Sequence, residues 1–223
     1  KIAYMLESGR VLLPSSLERY KSSTKFLREV ACTVSHLSAI HHAYESGAEL
    51  ALITEDDVDF STNFAQKLNI AITSAPHEWE VLQILTVNAH ILGKHANLYA
   101  THFVKWYPTH WSSAAYVISK RGMEIALGLW KFRETRGVLP QLSTFSWEFP
   151  EDDIYLADET IFQKTRSYTL VKSILRLAPS AVHSAIQDRA EGVVPGTYAQ
   201  NPSPRVFAPS SLMIVSSMRV SQV

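Results

Sequence analysis

An α/β fold with a mostly parallel central sheet is the architecture this sequence predicts. Leu50–Thr54 is a continuous apolar run bounded by polar residues, and the largely apolar Val81–Thr86 and Ala114–Ser119 are two further buried-strand candidates. That pattern fits strands covered on both faces. Helical periodicity lies before the first run and after the third, and strands alternating with helices point to an α/β domain. The 223 residues suffice for one sizeable domain, and 46% hydrophobic with 19% charged residues is ordinary for a globular chain.

The elements follow in order. Residues 1–23 form an uncertain N-terminal segment in which Pro14, Ser15 and Ser16 read as a loop. A helix is expected from Thr24, as its N-cap, with Val30, Val34, Leu37, Ile40 and Tyr44 on one face and Gly47 past its end. After the Leu50 strand, Ser61 or Thr62 can cap a helix to about Ile72, ended by Pro76. Asn88–Lys105 reads as an irregular excursion, and Lys120 to about Phe132 as a helix burying Ile125, Ala126, Leu129 and Trp130. Gly137–Phe149 reads as a loop, and Ala157 to about Lys164 as a short helix. The main domain is set at residues 24–191, and Pro, Ser, Gly and Gln dominate 192–223, the composition of a loosely ordered tail.

A net charge of zero and a pI near 7.3 supply no overall field for nucleic acid or an anionic membrane. One cysteine, Cys32, allows no internal disulfide. No run approaches the ~18 apolar residues of a membrane span. The start at Lys1 reads as midstream, which leaves the compartment open between a bacterial cytoplasm and a secretory lumen.

The feature that stands out is "LALITEDDVDF", where a strand ends in Glu55, Asp56, Asp57 and Asp59. Alone, such a cluster reads most simply as a solvated acidic turn. It sits, however, at the carboxyl end of a strand, where α/β sheets bind ligands. Oxygen ligands of this kind suit Mg²⁺, Mn²⁺ or Ca²⁺. Strand alternation would send Asp57 and Asp59 to one side and Asp56 to the other. The spacing does not match an EF-hand, which spreads its ligands over about 12 residues.

The stretch "REVACTVSHLSAIHHAYESGAELALITEDDVDF" resembles the signature of glycosyltransferase family 25, the lipooligosaccharide and procollagen galactosyltransferase group. Glu29, Cys32, Ser35, His36, Leu37, Glu55, Asp56 and Asp57 occupy the family positions, with Ala31 for the usual Gly. "WSSAAYVISKRGMEIAL" and "ADETIF" followed by "SYTL" resemble its later motifs, and the likeness runs from about Lys25 to His183. Family members open with a strand carrying Asn-Leu and an arginine-rich turn. This chain lacks that strand or carries it diverged in "KIAYMLESG".

The resemblance implies a GT-A-like fold and inverting, metal-assisted transfer of a sugar from a UDP-sugar to a hydroxyl. Galactose is the first expectation, and the acceptor is a glycan or a protein. Asp56, Asp57 and Asp59 are the expected ligands of Mn²⁺ or Mg²⁺. Asp158 occupies the family's acidic position as base, with Glu159 and Asp153 as weaker choices and helix N-terminal charge as the alternative role. Glu29, Ser35, His36, Trp111, Ser112 and Ser113 are the expected donor and acceptor contacts. His36 has a structural or positioning role as its alternative. Trp106, Tyr107 and Trp111 can stack on a sugar or pack in the core. Cys32 reads as a core residue, because no third metal ligand stands near it and His36 in sequence. His41, His42, His90, His95, His102 and His110 match no zinc spacing. Two rival readings are an inactive relative that only binds, and a metal-dependent phosphohydrolase.

Overall fold

The computed structural model describes residues 11–88, 91–92, 102–128, 147–149, 156–178 and 212–217. In chain order the elements are β1 (Val11–Leu12), α1 (Ser15–Glu18), α2 (Thr24–Glu45), β2 (Leu50–Glu55), β3 (Val58–Phe60), α3 (Phe64–Thr73) and β4 (Val81–Leu85). There follow β5 (Phe103–Lys105), a 3-10 turn at Pro108–His110, β6 (Ala115–Ser119), α4 (Lys120–Ala126), β7 (Trp147–Glu148), α5 (Ala157–Phe162), β8 (Ser167–Leu170), β9 (Leu175–Leu177) and β10 (Leu212–Ser217).

Helix α2 starts one residue earlier than its sequence cap suggests. Ser23 is the N-cap, its hydroxyl accepting from the Phe26 N–H at 3.4 Å. Gly47, two residues past the helix, takes φ 78°, a left-handed conformation that glycine adopts without strain. The face carrying Val30, Val34, Leu37 and Ile40 is buried. Helix α3 is preceded by Asn63 rather than Ser61 or Thr62.

The central sheet has six strands among the described residues, in the order β10-β2-β6-β4-β8-β5. It is mixed rather than mostly parallel: β10–β2 and β4–β8 are parallel, whereas β2–β6, β4–β6 and β5–β8 are antiparallel. The cause of the difference is physical. A strand buried on both faces is apolar throughout whichever way its neighbours run, so its pattern carries no direction. Side chains alternate between two cores. Ile53, Tyr116 and Ile118 pack with α2, while Leu52, Val117 and Leu82 pack with Phe64 and Leu68 of α3.

Two further segments depart from expectation. Phe103–Lys105, inside the predicted excursion, forms edge strand β5. Leu212–Ser217, inside the predicted tail, lies parallel to β2 along its whole length, from Leu50 to Glu55. Its four apolar residues are a short run in a stretch otherwise rich in Pro and Ser. In α4 the buried residues are Gly122, Met123 and Glu124, while Ile125 and Ala126 are half-buried. Leu129, Trp130 and most of Gly137–Phe149 lie outside the described residues.

Candidate active site

A cleft of about 450 Å³ opens where β2 ends, within the size range of small-molecule sites. Five carboxylates line it: Glu29 from α2, Glu55 from the last position of β2, Asp57 from the turn before β3, and Asp158 and Glu159 from the first turn of α5. Among the described residues, Cys32, Trp111, Ser112 and Ser113 add the polar and aromatic lining, and none that lines the cleft is Lys or Arg.

Helix α2 builds one wall. Glu29, Cys32 and His36 stand three and four residues apart, so they share a face. His36 is 1% exposed and sits behind the cleft. Its Nδ1 is 3.2 Å from the Tyr116 hydroxyl and its Nε2 3.4 Å from Glu55 Oε1. Glu55 Oε1 also accepts a 3.0 Å hydrogen bond from the Ser113 hydroxyl. Burial opposes charge on His36, but the Cys32 sulfur and the Glu55 carboxylate outweigh it and push the pKa up to about 10. Burial raises the Tyr116 phenol well above its ordinary value, and Cys32 and Glu55 add to the shift.

The opposite wall is the start of α5 and the loop before β6. Asp158 Oδ2 accepts from the Ser112 N–H and Oδ1 from the Glu159 N–H, both at 3.0 Å. Burial raises the Asp158 pKa, against those two backbone donors and the His36 charge, which lower it. Glu159 is raised as well, by burial and then by the Asp158 charge. Ser112 holds φ 137°, a strained conformation for a residue with a side chain, at the residue whose N–H meets Asp158. The loop is pinned from below. Gln83 Nε2 donates to the carbonyls of His110 at 2.6 Å and Ser112 at 2.8 Å, and Gln83 Oε1 accepts from the Thr169 hydroxyl at 2.8 Å.

Most of the expected site residues converge on the cleft. Glu29, Asp57, Trp111, Ser112, Ser113, Asp158 and Glu159 all line it, and His36 lies behind it. Asp56 and Asp59 do not line it: both are exposed, Asp56 in the turn and Asp59 in β3 opposite Arg176 of β9. The alternation argument fails there because β2 stops at Glu55 and a turn intervenes before Val58. Ser35 is also outside the lining, and its hydroxyl donates to the Ala31 carbonyl at 2.8 Å. Asp153, His90 and His95 lie outside the described residues. Trp106 is core, edge-on to Phe162 at 5.5 Å, and Tyr107 is exposed away from the lining. His110 is buried with its Nδ1 3.2 Å from the Thr169 hydroxyl.

Three participants were not assigned to the site from the sequence. Cys32, read as core, is half-exposed on the cleft wall. Tyr116 and Gln83 looked like ordinary strand residues, and nothing in their spacing marked them as partners of His36 and of the Ser112 loop.

No curated protein and no solved structure matches the chain. The family model described as "Glycosyltransferase family 25 (LPS biosynthesis protein)" matches residues 14–134, more than half of the chain. The match takes in α2, the β2 strand end with Asp57, and the Trp111–Ser113 loop, and it stops before Asp158. A glycosyltransferase of this kind requires a nucleotide-sugar donor and an acceptor, and the chain belongs to glycosyltransferase family 25.

Proposed function

We propose that this chain transfers a hexose, galactose in the first instance, from a UDP-sugar to a hydroxyl of a glycan or protein, with inversion, in a GT-A-type site assisted by Mn²⁺ or Mg²⁺. One observation carries the proposal: among the described residues, a cleft of ligand size is lined by five carboxylates and by no Lys or Arg. A nucleotide diphosphate is anionic, and such a wall repels it unless a cation stands between them. The oxygen donors fit a hard divalent ion, which commonly takes one or two carboxylates and leaves its other positions to substrate phosphates. Asp57, 7% exposed and facing the cleft, is the residue assigned to hold it. Bound there, the ion would neutralise charge developing on the leaving diphosphate.

The remaining work belongs to the chain's own groups. Asp158 accepts the acceptor hydroxyl's proton while the acceptor oxygen bonds to the anomeric carbon and the bond from that carbon to the diphosphate oxygen breaks. The two backbone N–H donors fix the carboxylate's orientation, and its raised pKa makes it a stronger base than an exposed aspartate. Trp111 offers an aromatic face to a sugar ring. UDP and galactose follow from the motif resemblance, and a donor panel tests them. The protein is incubated with Mn²⁺ and a series of nucleotide sugars, with and without sugar acceptors. Transfer, or donor hydrolysis that needs metal, supports the proposal. Phosphoester cleavage indifferent to the sugar, or no metal-dependent donor binding, overturns it.

A further inference from the structure

The cation assigned to Asp57 does not use all the ligand chemistry at the end of β2. One group of His, Cys, Asp and Glu residues among those described brings three ligand atoms within 4.8 Å of one another: Cys32, His36 and Glu55. Around a tetrahedral zinc, with metal–ligand bonds of about 2.0–2.3 Å, ligand atoms stand roughly 3.3–3.8 Å apart. The distance of 3.4 Å from His36 Nε2 to Glu55 Oε1 already falls in that range.

We propose that Cys32, His36 and Glu55 bind one borderline-soft transition-metal ion, Zn²⁺ in the first instance, at a site separate from the hard cation assigned to Asp57.

Independent observations support this. His36 Nε2 is buried and has no hydrogen bond, an expensive state for a ring nitrogen unless something else uses it. With Nδ1–H donating to the Tyr116 oxygen, Nε2 points at Glu55 Oε1, and a metal bound there would take the place of the proton that this nitrogen carries in the metal-free chain. That is how metal-ligating histidines are oriented. Cys32 and His36 are four residues apart on one continuous helix, so their spacing is rigid. Glu55 closes the triangle from the end of β2, where the Ser113 hydroxyl steers its carboxylate.

The donor set also selects the ion. One thiolate, one neutral imidazole and one carboxylate balance a doubly charged cation. Sulfur and nitrogen donors favour Zn²⁺ or Co²⁺ over Mg²⁺, Ca²⁺ and Mn²⁺. Cys32 and Glu55 both line the cleft, so a fourth coordination position faces the cavity and takes water or a substrate oxygen. Three protein ligands plus an open position is the arrangement of a zinc site that acts on what it binds. The proposal does not depend on the transferase reading.

Co²⁺ titration of the metal-stripped full chain tests it, followed by absorption spectroscopy. Cys32 is the chain's one cysteine, so a thiolate-to-cobalt charge-transfer band has a single source. The expected result is one equivalent of Co²⁺ bound with that band, displaced by Zn²⁺ and not by excess Mg²⁺. The band should vanish in Cys32→Ser, persist in Asp57→Ala, and Tyr116→Phe should weaken binding roughly 10–100-fold. Glu55→Gln, a second variant at the helix-free side of the triangle, should keep the band and lose affinity. No thiolate band in the folded wild-type chain overturns the proposal. A band that survives Cys32→Ser also overturns it, and its loss in folded Asp57→Ala overturns the separation of the two sites. Mn²⁺-dependent donor binding, measured in parallel on the wild-type chain and on Asp57→Ala, reports on the transferase reading alone.

Discussion

The Gln83 cluster and the His36 cluster both bury side-chain nitrogens and oxygens against the central sheet, yet only the first is closed. Gln83, fully buried on β4, spends its amide on the carbonyls of His110 and Ser112 and its oxygen on Thr169. His110 in turn reaches Thr169, and the Thr86 hydroxyl donates to the His110 carbonyl at 3.2 Å. Around His36, one ring nitrogen is held by Tyr116 and the other has an ion-pair neighbour but no hydrogen bond. A fully satisfied buried network rigidifies, whereas a buried polar atom without a hydrogen bond is costly. The first cluster fixes the Ser112 loop, and the second faces the cleft that this loop helps to shape.

The comparison breaks most readily at the cleft. Asp158→Asn keeps the size of the side chain, removes the base and leaves one backbone N–H without its acceptor. Transfer should fall roughly 10²–10⁴-fold in steady-state rate assays, the usual worth of general base catalysis. Near wild-type turnover in the Asp158→Asn enzyme would reduce Asp158 to a helix-start charge. The pH profile carries a related sign. Because the Asp158 pKa is raised by burial, the acid limb of activity should lie above the 3.8 of an ordinary aspartate. For stability, the folded state holds this proton more tightly than the unfolded chain, so this group's contribution falls as pH rises from 3.8 through its raised folded value. Asp57→Ala comes next. Metal-dependent transfer should drop by roughly 10²-fold or more while circular dichroism stays native. Activity that survives it would move the cation to another carboxylate of the lining.

Much of this was legible in the sequence, for identifiable reasons. Helix α2 announced itself because a 3.6-residue period over 22 residues is difficult to produce otherwise. The place of Asp57 in the cleft was readable because an acidic cluster ends an apolar run, and that of Asp158 because "ADETIF" resembles a family motif. What was hidden depends on pairing between distant segments. The antiparallel sense of β6 leaves no trace in "AAYVIS", since both its faces are covered. Cys32 looked like core because its third partner, Glu55, is separated from it by the rest of α2 and all of β2. Asp59 looked like a ligand because alternation was carried through a turn that interrupts the strand. The strained φ of Ser112 follows from Gln83 and Asp158 gripping the loop from two sides, and no local residue preference encodes it.

A smaller effect sharpens the closed side of the comparison. Gln83→Leu approximately keeps the volume but takes the Gln83 donor from the Ser112 carbonyl and removes one of two partners from the His110 carbonyl and from the Thr169 hydroxyl. Stranded buried groups cost about 1–3 kcal/mol each at full exposure of the penalty, and relaxation lets some find water. A loss of about 2 kcal/mol in urea unfolding is expected, together with weaker transfer as Ser112 loosens its grip on Asp158. An unchanged midpoint would show that the loop does not need the network, and would remove the contrast drawn between the two clusters.

The smallest effect belongs to a contact that looks strong on distance alone. Lys120 Nζ lies 2.6 Å from Glu49 Oε1, as short as the Gln83–His110 bond and shorter than the His36–Tyr116 and His36–Glu55 contacts. The pair sits at the surface, where water and salt screen it and two flexible side chains must be ordered to form it. Lys120→Ala should therefore leave the urea midpoint within experimental error at physiological salt. The backbone N–H of residue 120, which donates to the Glu49 carbonyl at 2.8 Å, is untouched by the change. A fall as large as that of Gln83→Leu would mean that the start of α4 is held by its surface charge. That outcome would contradict the ordering proposed here, in which burial and the number of unsatisfied partners, and not contact distance, set what each polar group is worth.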